Sequence, residues 1–296
     1  MPRPDPVLAG PVAPWRFDAI GTAWTVDAVD EVDAHARAAV ADLVARFDRT
    51  WSRFRDDSLV AEVAAAPGTW ELPAEAEPLL ALYGRLHAIT AGAVSPLVGR
   101  RLADLGYGSG YALRPVADPA HVPAWSSITW SPPLLTTTEP VVLDVGAAGK
   151  GLLVDLVAAE LAHHGVPGVV VDASGDLRHD GSGPLRVALE HPHDPTLAVG
   201  VADLPPGRSL AGSAVNRRAW ADDLHHVLDA RTGRPTRDVV ASWVVADSCL
   251  LADGAATAAF FVPPDELAAT LGVEVVRLRA DGRLEWSPGF PGEMFT

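Results

Sequence analysis

The chain has 296 residues, 48% hydrophobic and 21% charged, which is the composition of an ordinary globular protein. Its formal net charge of -15 argues against nucleic acid and anionic membrane surfaces as partners, because both attract basic surfaces. No stretch reaches the ~20 apolar residues of a membrane span. A single cysteine, Cys249, rules out an intrachain disulfide and reads as a buried core thiol.

Met1 to Pro14 is proline-rich and lacks the charged start and apolar core of a signal peptide. Residues 1–15 are therefore expected to form a flexible tail on a cytoplasmic protein, followed by one domain over 16–296. Phe17 to Asp27 alternates loosely and predicts a strand. Val40, Leu43, Val44, Phe47 and Trp51 recur at helical spacing. A second helix is expected from Glu75 to Ala91, with Gly92 as its cap. Residues 105–140 are rich in Gly, Pro and Ser and predict loops with short strands. Val141 to Asp144 reads as a strand, Lys150 to His164 as a helix closed by Gly165, and Val169 to Asp172 as a short strand. Arg186 to Glu190 and Ser242 to Ala246 read as further strands. Ala252 to Phe261 reads as a helix stopped by Pro263-Pro264. The C-terminal tail from Trp286 to Thr296 reads as irregular. Helices and strands mix without a strict βαβ rhythm, so the fold class is α+β.

Two segments carry chemistry. Leu143 to Gly151 is an apolar run ending in a glycine-rich turn with one lysine, where the backbone can approach a ligand and amides can face an anion. It is not a P-loop: the places of the first glycine and of the Ser or Thr hold Asp144 and Gly151. Downstream, Asp253 and Thr257 stand four residues apart. On a helix their oxygens share one face, as a hard cation such as Mg²⁺ requires. His225-His226 precedes an apolar pair, an Asp and a turn, and one of these histidines is a candidate base near neutral pH.

With these segments in place the chain resembles the ApbE family, the FAD:protein FMN transferases. Ile20-Gly21-Thr22 is similar to the family's M-G-T, and Ser52 to Ser58 to its S-x-[YF]-R-x-D-S. Thr90 to Gly99 is similar to T-x-G-x-F-D-P-x-V-G, and Leu105 to Gly108 to the aromatic-glycine turn that follows. Asp144 to Gly151 fits D-x-G-x-x-A-K-G, His225 to Gly233 fits H-H-I-x-D-P-x-T-G, and Asp253 to Ala258 fits D-x-x-x-T-A. The segments occur in the family's order.

The resemblance implies an α+β fold related to the T-fold, with mixed helices and sheets around an FAD cleft. It implies an Mg²⁺ site from the Ala147 carbonyl, the Asp253 carboxylate and the Thr257 hydroxyl. Ile20, Phe54, Ala93, Val94, Ser95, Asp144, Lys150 and Val227 occupy flavin-contacting positions, and His226 is the implied base. The implied reaction moves FMN from FAD to a threonine or serine of an acceptor protein and releases AMP. An FAD pyrophosphatase yielding FMN and AMP, and a non-catalytic flavin-binding protein, are the alternatives. Several positions depart from the pattern: Ser95 stands for Asp, Ile20 for Met, and Gly149 for Ala. Asp172 to Asp176 replaces an N-x-G-G-type turn, and Ala211 to Ala214 replaces T-S-G. Ala230 replaces a proline.

Overall fold

The computed structural model describes residues 13–221 and 224–295. Most of the expected tail lies outside the described residues, but Trp15 already belongs to the first strand. β1 (Trp15–Ala19) and β2 (Thr22–Asp27) form an antiparallel hairpin where one strand was expected. Ile20 (φ 45°) and Gly21 (φ 76°) make its two-residue turn, a left-handed pair suited to the twist of a hairpin.

The chain continues through α1 (Ala34–Trp51), α2 (Leu59–Ala65), β3 (Gly68–Glu71), α3 (Ala76–Ile89) and α4 (Gly99–Asp104). β4 (Ile128–Ser131) and β5 (Leu134–Thr137) join β3 in a small sheet of order β3-β5-β4. α5 (Gly149–His163) leads to β6 (Val170–Asp172), β7 (Asp176–His179), β8 (Leu185–His191), β9 (Asp194–Leu204) and β10 (Arg208–Ala214). Two short ladders follow, β11 (Ala219–Trp220) with β12 (Leu224–His225), and β13 (Leu228–Asp229) with β14 (Arg234–Pro235). The chain then runs through β15 (Val239–Ala246), α6 (Cys249–Ala258), α7 (Pro264–Leu271), β16 (Glu274–Arg279), β17 (Leu284–Trp286) and β18 (Gly292–Met294).

The frame is one eight-stranded sheet of order β1-β2-β6-β7-β10-β15-β16-β17, with every neighbouring pair antiparallel. Its centre is covered on both sides. Ala211, Val244 and Ala246 face the helices, whereas Leu210, Trp243 and Val245 face the layer made by β8, β9 and β18. This is why β15 reads as a continuous apolar run rather than an alternation. α5 and α6 lie on the helical side, with α1 against α5 and α3 against α6.

The helices begin where side chains satisfy their free amides. Asp33 accepts from the Ala36 amide and starts α1. Ser248 accepts from the Leu251 amide and starts α6, three residues before the expected start. Asp253 is thus inside the helix and is not its cap. Asp155 of α5 accepts from the amides of Cys249 and Leu250, at 2.9 Å each, so α6 is fastened by its first turn to α5. Pro264 does not only stop α6; it opens α7, which closes at Gly272 in the left-handed region (φ 70°).

Two further expectations are corrected. Val141 to Asp144 joins no sheet; its side chains at Val141 and Leu143 are buried, while the Asp144 amide bonds to the carbonyl of Pro96, which opens the short 3₁₀ turn Pro96–Val98. The C-terminal segment is not wholly irregular, because β18 pairs with the distant β9.

Candidate active site

The helical side of the sheet opens into a cleft of about 1220 Å³. Every residue nominated from the sequence lines it: Ile20, Phe54, Ala93, Val94, Ser95, Asp144, Ala147, Lys150, His226, Val227, Asp253 and Thr257. They arrive from separate elements. Ile20 comes from the β1–β2 turn, Phe54 from the loop after α1, and residues 93–95 from the loop after α3. Asp144 and Ala147 lead into α5, Lys150 lies in its first turn, His226 and Val227 follow β12, and Asp253 and Thr257 come from α6.

The N-terminus of α5 has no side-chain cap and lines the cleft. The positive end of its dipole is suited to an anion, while the Gly149 amide is already bonded to the Val145 carbonyl. Beside it lies a buried charge cluster. The Lys150 Nζ donates to the Ala173 carbonyl at 3.1 Å and stands 3.1 Å from Asp176 Oδ2. Neither Asp176 oxygen has a well-directed hydrogen bond among the described residues, so the Lys150 contact is one of charge. Asp253 accepts from the Gly151 amide through Oδ2 at 2.9 Å. Burial and then Asp176 push the Asp253 carboxyl well above the usual carboxylate range. Burial raises Asp176 as well, in spite of Lys150. Burial lowers Lys150, but Asp176 and Asp253 outweigh it and hold the ammonium above its ordinary value. Two carboxyls crowded in low dielectric are an arrangement that an added cation relieves.

This cluster depends on close approach of α5 and α6. A Cβ on Gly151 would lie 2.2 Å from the Cys249 carbonyl oxygen and 2.7 Å from the Asp253 Cβ. Both are backbone or near-backbone atoms and cannot swing aside. Gly151→Ala is therefore expected to cost ~3 kcal/mol, a fall of about 6–12 °C in Tm by calorimetry.

A second set of charges surrounds His226. Arg53 Nε donates to Asp144 Oδ2 at 2.5 Å, and its Nη1 donates to the Tyr107 carbonyl at 2.7 Å. Burial alone would raise Asp144, but Arg53 and the Gly146 amide hold it below the usual range. Arg218 donates to the Tyr107 hydroxyl at 2.5 Å. The Arg218 carbonyl accepts from the His226 amide at 3.3 Å and lies 3.4 Å from Nδ1. His225 is different: it is buried, and its Nε2 lies 2.9 Å from the Thr236 carbonyl. Burial, then Arg218, lowers the His226 pKa to about 4. The ring is neutral near pH 7.

A family model for the ApbE family matches residues 20–277. The chain belongs to the ApbE family. A Rhodobacter capsulatus protein named FAD:protein FMN transferase is 30% identical, with alignment over 92% of this chain and 56% of that protein. A Vibrio cholerae protein of the same name is 31% identical over 58% of this chain and 56% of its own length. The chain thus spans about half the length of these curated relatives. Among solved structures, the flavin transferase ApbE from Vibrio cholerae has a TM-score of 0.78 at 22% identity, covering 94% of this chain and 97% of that one. The ApbE protein from Thermotoga maritima has a TM-score of 0.79 at 22% identity, covering 93% and 97%. The α+β fold is the ApbE fold.

Departures from the ApbE pattern have local explanations. Ser95 accepts from the Leu97 amide at 3.2 Å and caps a short 3₁₀ turn. Ser174 takes the left-handed conformation usual for glycine (φ 56°), and its hydroxyl donates to the Ala23 carbonyl at 2.8 Å. Asp172 accepts from the Gly175 amide at 3.0 Å, so side chains hold this turn. Sequence reasoning missed Arg53, Tyr107, Asp176 and Arg218. Asp176 opens a strand that also carries Arg178 and His179, so no local signal marked it. The arginine pair just ahead of His225-His226 was the signal for Arg218.

Proposed function

We propose that the chain is an Mg²⁺-dependent FAD:protein FMN transferase, acting on a threonine or serine of an acceptor protein in the cytoplasm and releasing AMP. The observation that carries this reading is the meeting, in one cleft, of Asp253, Thr257 and Ala147 beside Lys150, with neutral His226 on the same lining.

The donor set fits a hard cation. A carboxylate, a hydroxyl and a main-chain carbonyl are oxygen ligands of the kind Mg²⁺ takes, and the raised Asp253 carboxyl marks a place where positive charge is favoured. Among the described residues no three His, Cys, Asp or Glu side chains gather as a cage. The protein would therefore supply part of a shell that the FAD pyrophosphate completes. Bound there, Mg²⁺ would neutralise charge developing on the phosphates.

The chain's own residues do the rest. The α5 N-terminus and Lys150 orient the pyrophosphate. His226 Nε2 takes the proton of the acceptor hydroxyl, whose oxygen forms a bond to the FMN phosphorus. The bond from that phosphorus to the AMP oxygen breaks, and AMP leaves. In-line positioning and fixed charge supply most of the acceleration.

The test is to incubate the protein with FAD and Mg²⁺, with and without an acceptor protein, and to follow AMP. Release only with acceptor is expected. Release without it indicates a pyrophosphatase, and bound FAD with no AMP in either arm indicates a flavin-binding protein. Absence of FAD binding would end all three readings.

A further inference from the structure

We propose that Arg218 is a positioning residue for the transfer reaction, holding His226 in the one tautomer and orientation that can accept a proton. The inference rests on the transferase reading of His226, and its geometry stands independently of that reading.

Arg218 ends a 3₁₀ turn (Val215–Arg218) between β10 and β11. Its carbonyl meets His226 twice, at the amide (3.3 Å) and at Nδ1 (3.4 Å). A carbonyl oxygen can only accept, so Nδ1 must carry the ring proton. The lone pair is then on Nε2. The same residue acts a second time through its side chain. Nη1 donates to the Tyr107 hydroxyl at 2.5 Å, and the guanidinium carbon lies 5.8 Å from the Tyr107 ring centroid. Tyr107 is immobilised in turn. Its ring stacks on Trp220 at 5.2 Å with 23° between planes, and its carbonyl accepts from Arg53, which is paired to Asp144. A continuous strut therefore runs from Asp144 through Arg53 and Tyr107 to Arg218 and the base.

The charged and titratable groups acting on His226 come from three elements. Arg218 and His225 of β12 disfavour the imidazolium, and Asp144, ahead of α5, favours it. Asp144 is committed to Arg53, which weakens its pull. Residues 222–223 at the β11–β12 tip lie outside the described residues. Burial depresses the ring most, and Arg218 is the largest charge acting in the same direction. A neutral base in a half-buried site keeps its lone pair available across the physiological range.

The test uses the full chain labelled with ¹⁵N-histidine, with His226→Gln to assign the ring signals. In the unmodified protein, His226 is expected as the Nδ1–H tautomer with a midpoint near 4. Arg218→Met removes the charge and should raise the midpoint by about one pH unit or more, about tenfold in proton affinity. Arg218→Lys should restore it, which a purely packing role would not require. If Arg218→Met does not fold, Tyr107→Phe takes its place: it keeps the charge but frees the guanidinium, and should give a smaller upward shift. An unchanged midpoint in the folded variant, or an Nε2–H tautomer in the unmodified protein, overturns the proposal. Failure of the transferase reading is seen separately, as absent AMP release from unmodified protein supplied with acceptor.

Discussion

Replacing Asp253 with asparagine is expected to lower Mg²⁺-dependent AMP release about 1000-fold, or ~4 kcal/mol, without unfolding the protein. Asparagine keeps an oxygen for the Gly151 amide, so the α5–α6 contact survives. What it loses is charge. In the ligand-free protein that charge is a burden, since burial and Asp176 both push the carboxyl up from 3.8. The stability contributed by a protonated Asp253 is present below that unfolded value and is lost as pH rises through the folded one. The variant, always neutral, should therefore match or exceed the parent in Tm, by a margin that grows with pH. FAD with Mg²⁺ should reverse the order, by stabilising the parent and not the variant. Calorimetry with and without FAD and Mg²⁺, alongside the AMP assay, gives both readings. Full activity in Asp253→Asn would sink the metal assignment.

Replacing His226 with alanine should act on a different step. FAD binding, followed by flavin fluorescence, should change little, while transfer to the acceptor falls about 10²–10⁴-fold. The pH dependence is distinctive. Because the ring's pKa is depressed from 6.5 to about 4, the base stays unprotonated well below neutrality, and the rate should not fall through protonation of His226 until about pH 5. Stability follows the same sign. The contribution of the neutral ring is complete above pH 6.5 and is lost as pH falls through about 4. A rate that halves near pH 6.5 in the parent protein would refute the depressed base.

Much of this architecture was readable in the residues, because the signals are local. The 3.6-residue recurrence in α1 and α3 follows from each helix having one face toward shared apolar neighbours, whereas α5 is apolar around most of its first two turns because it is buried among neighbours. The antiparallel hairpin at Ile20-Gly21 was invisible because alternation runs through a two-residue turn almost unbroken. Val141 to Asp144 looked like a strand since burial and alternation do not depend on pairing, whereas sheet membership does. β18 hides among Gly and Pro residues, since its partner β9 is far away in sequence.

The site divides in the same way. Short motifs carry the residues that face the cleft, because their spacing is set by a helix or a turn: Asp253 and Thr257 on one face of α6, Ala147 and Lys150 around the start of α5. Arg218 is only eight residues from His226, but the side-chain links that brace it come from far along the chain. Arg53 and Asp144 are 91 residues apart, and Arg218 and Tyr107 are 111 apart. No pattern in a short window can express such a link.

The cleft draws on both ends of the chain, with Ile20 at the first hairpin and Thr257 near the end of α6. The sheet beneath it joins β2 to β6 and β7 to β10, so its contacts close large loops. Such a topology folds slowly, and a fragment that ends before α6 lacks the Asp253 and Thr257 part of the lining. The lining supplied by α6, Asp253 and Thr257, joins the cleft only once that late helix has docked against α5, so the proposed flavin site would be completed at the end of folding.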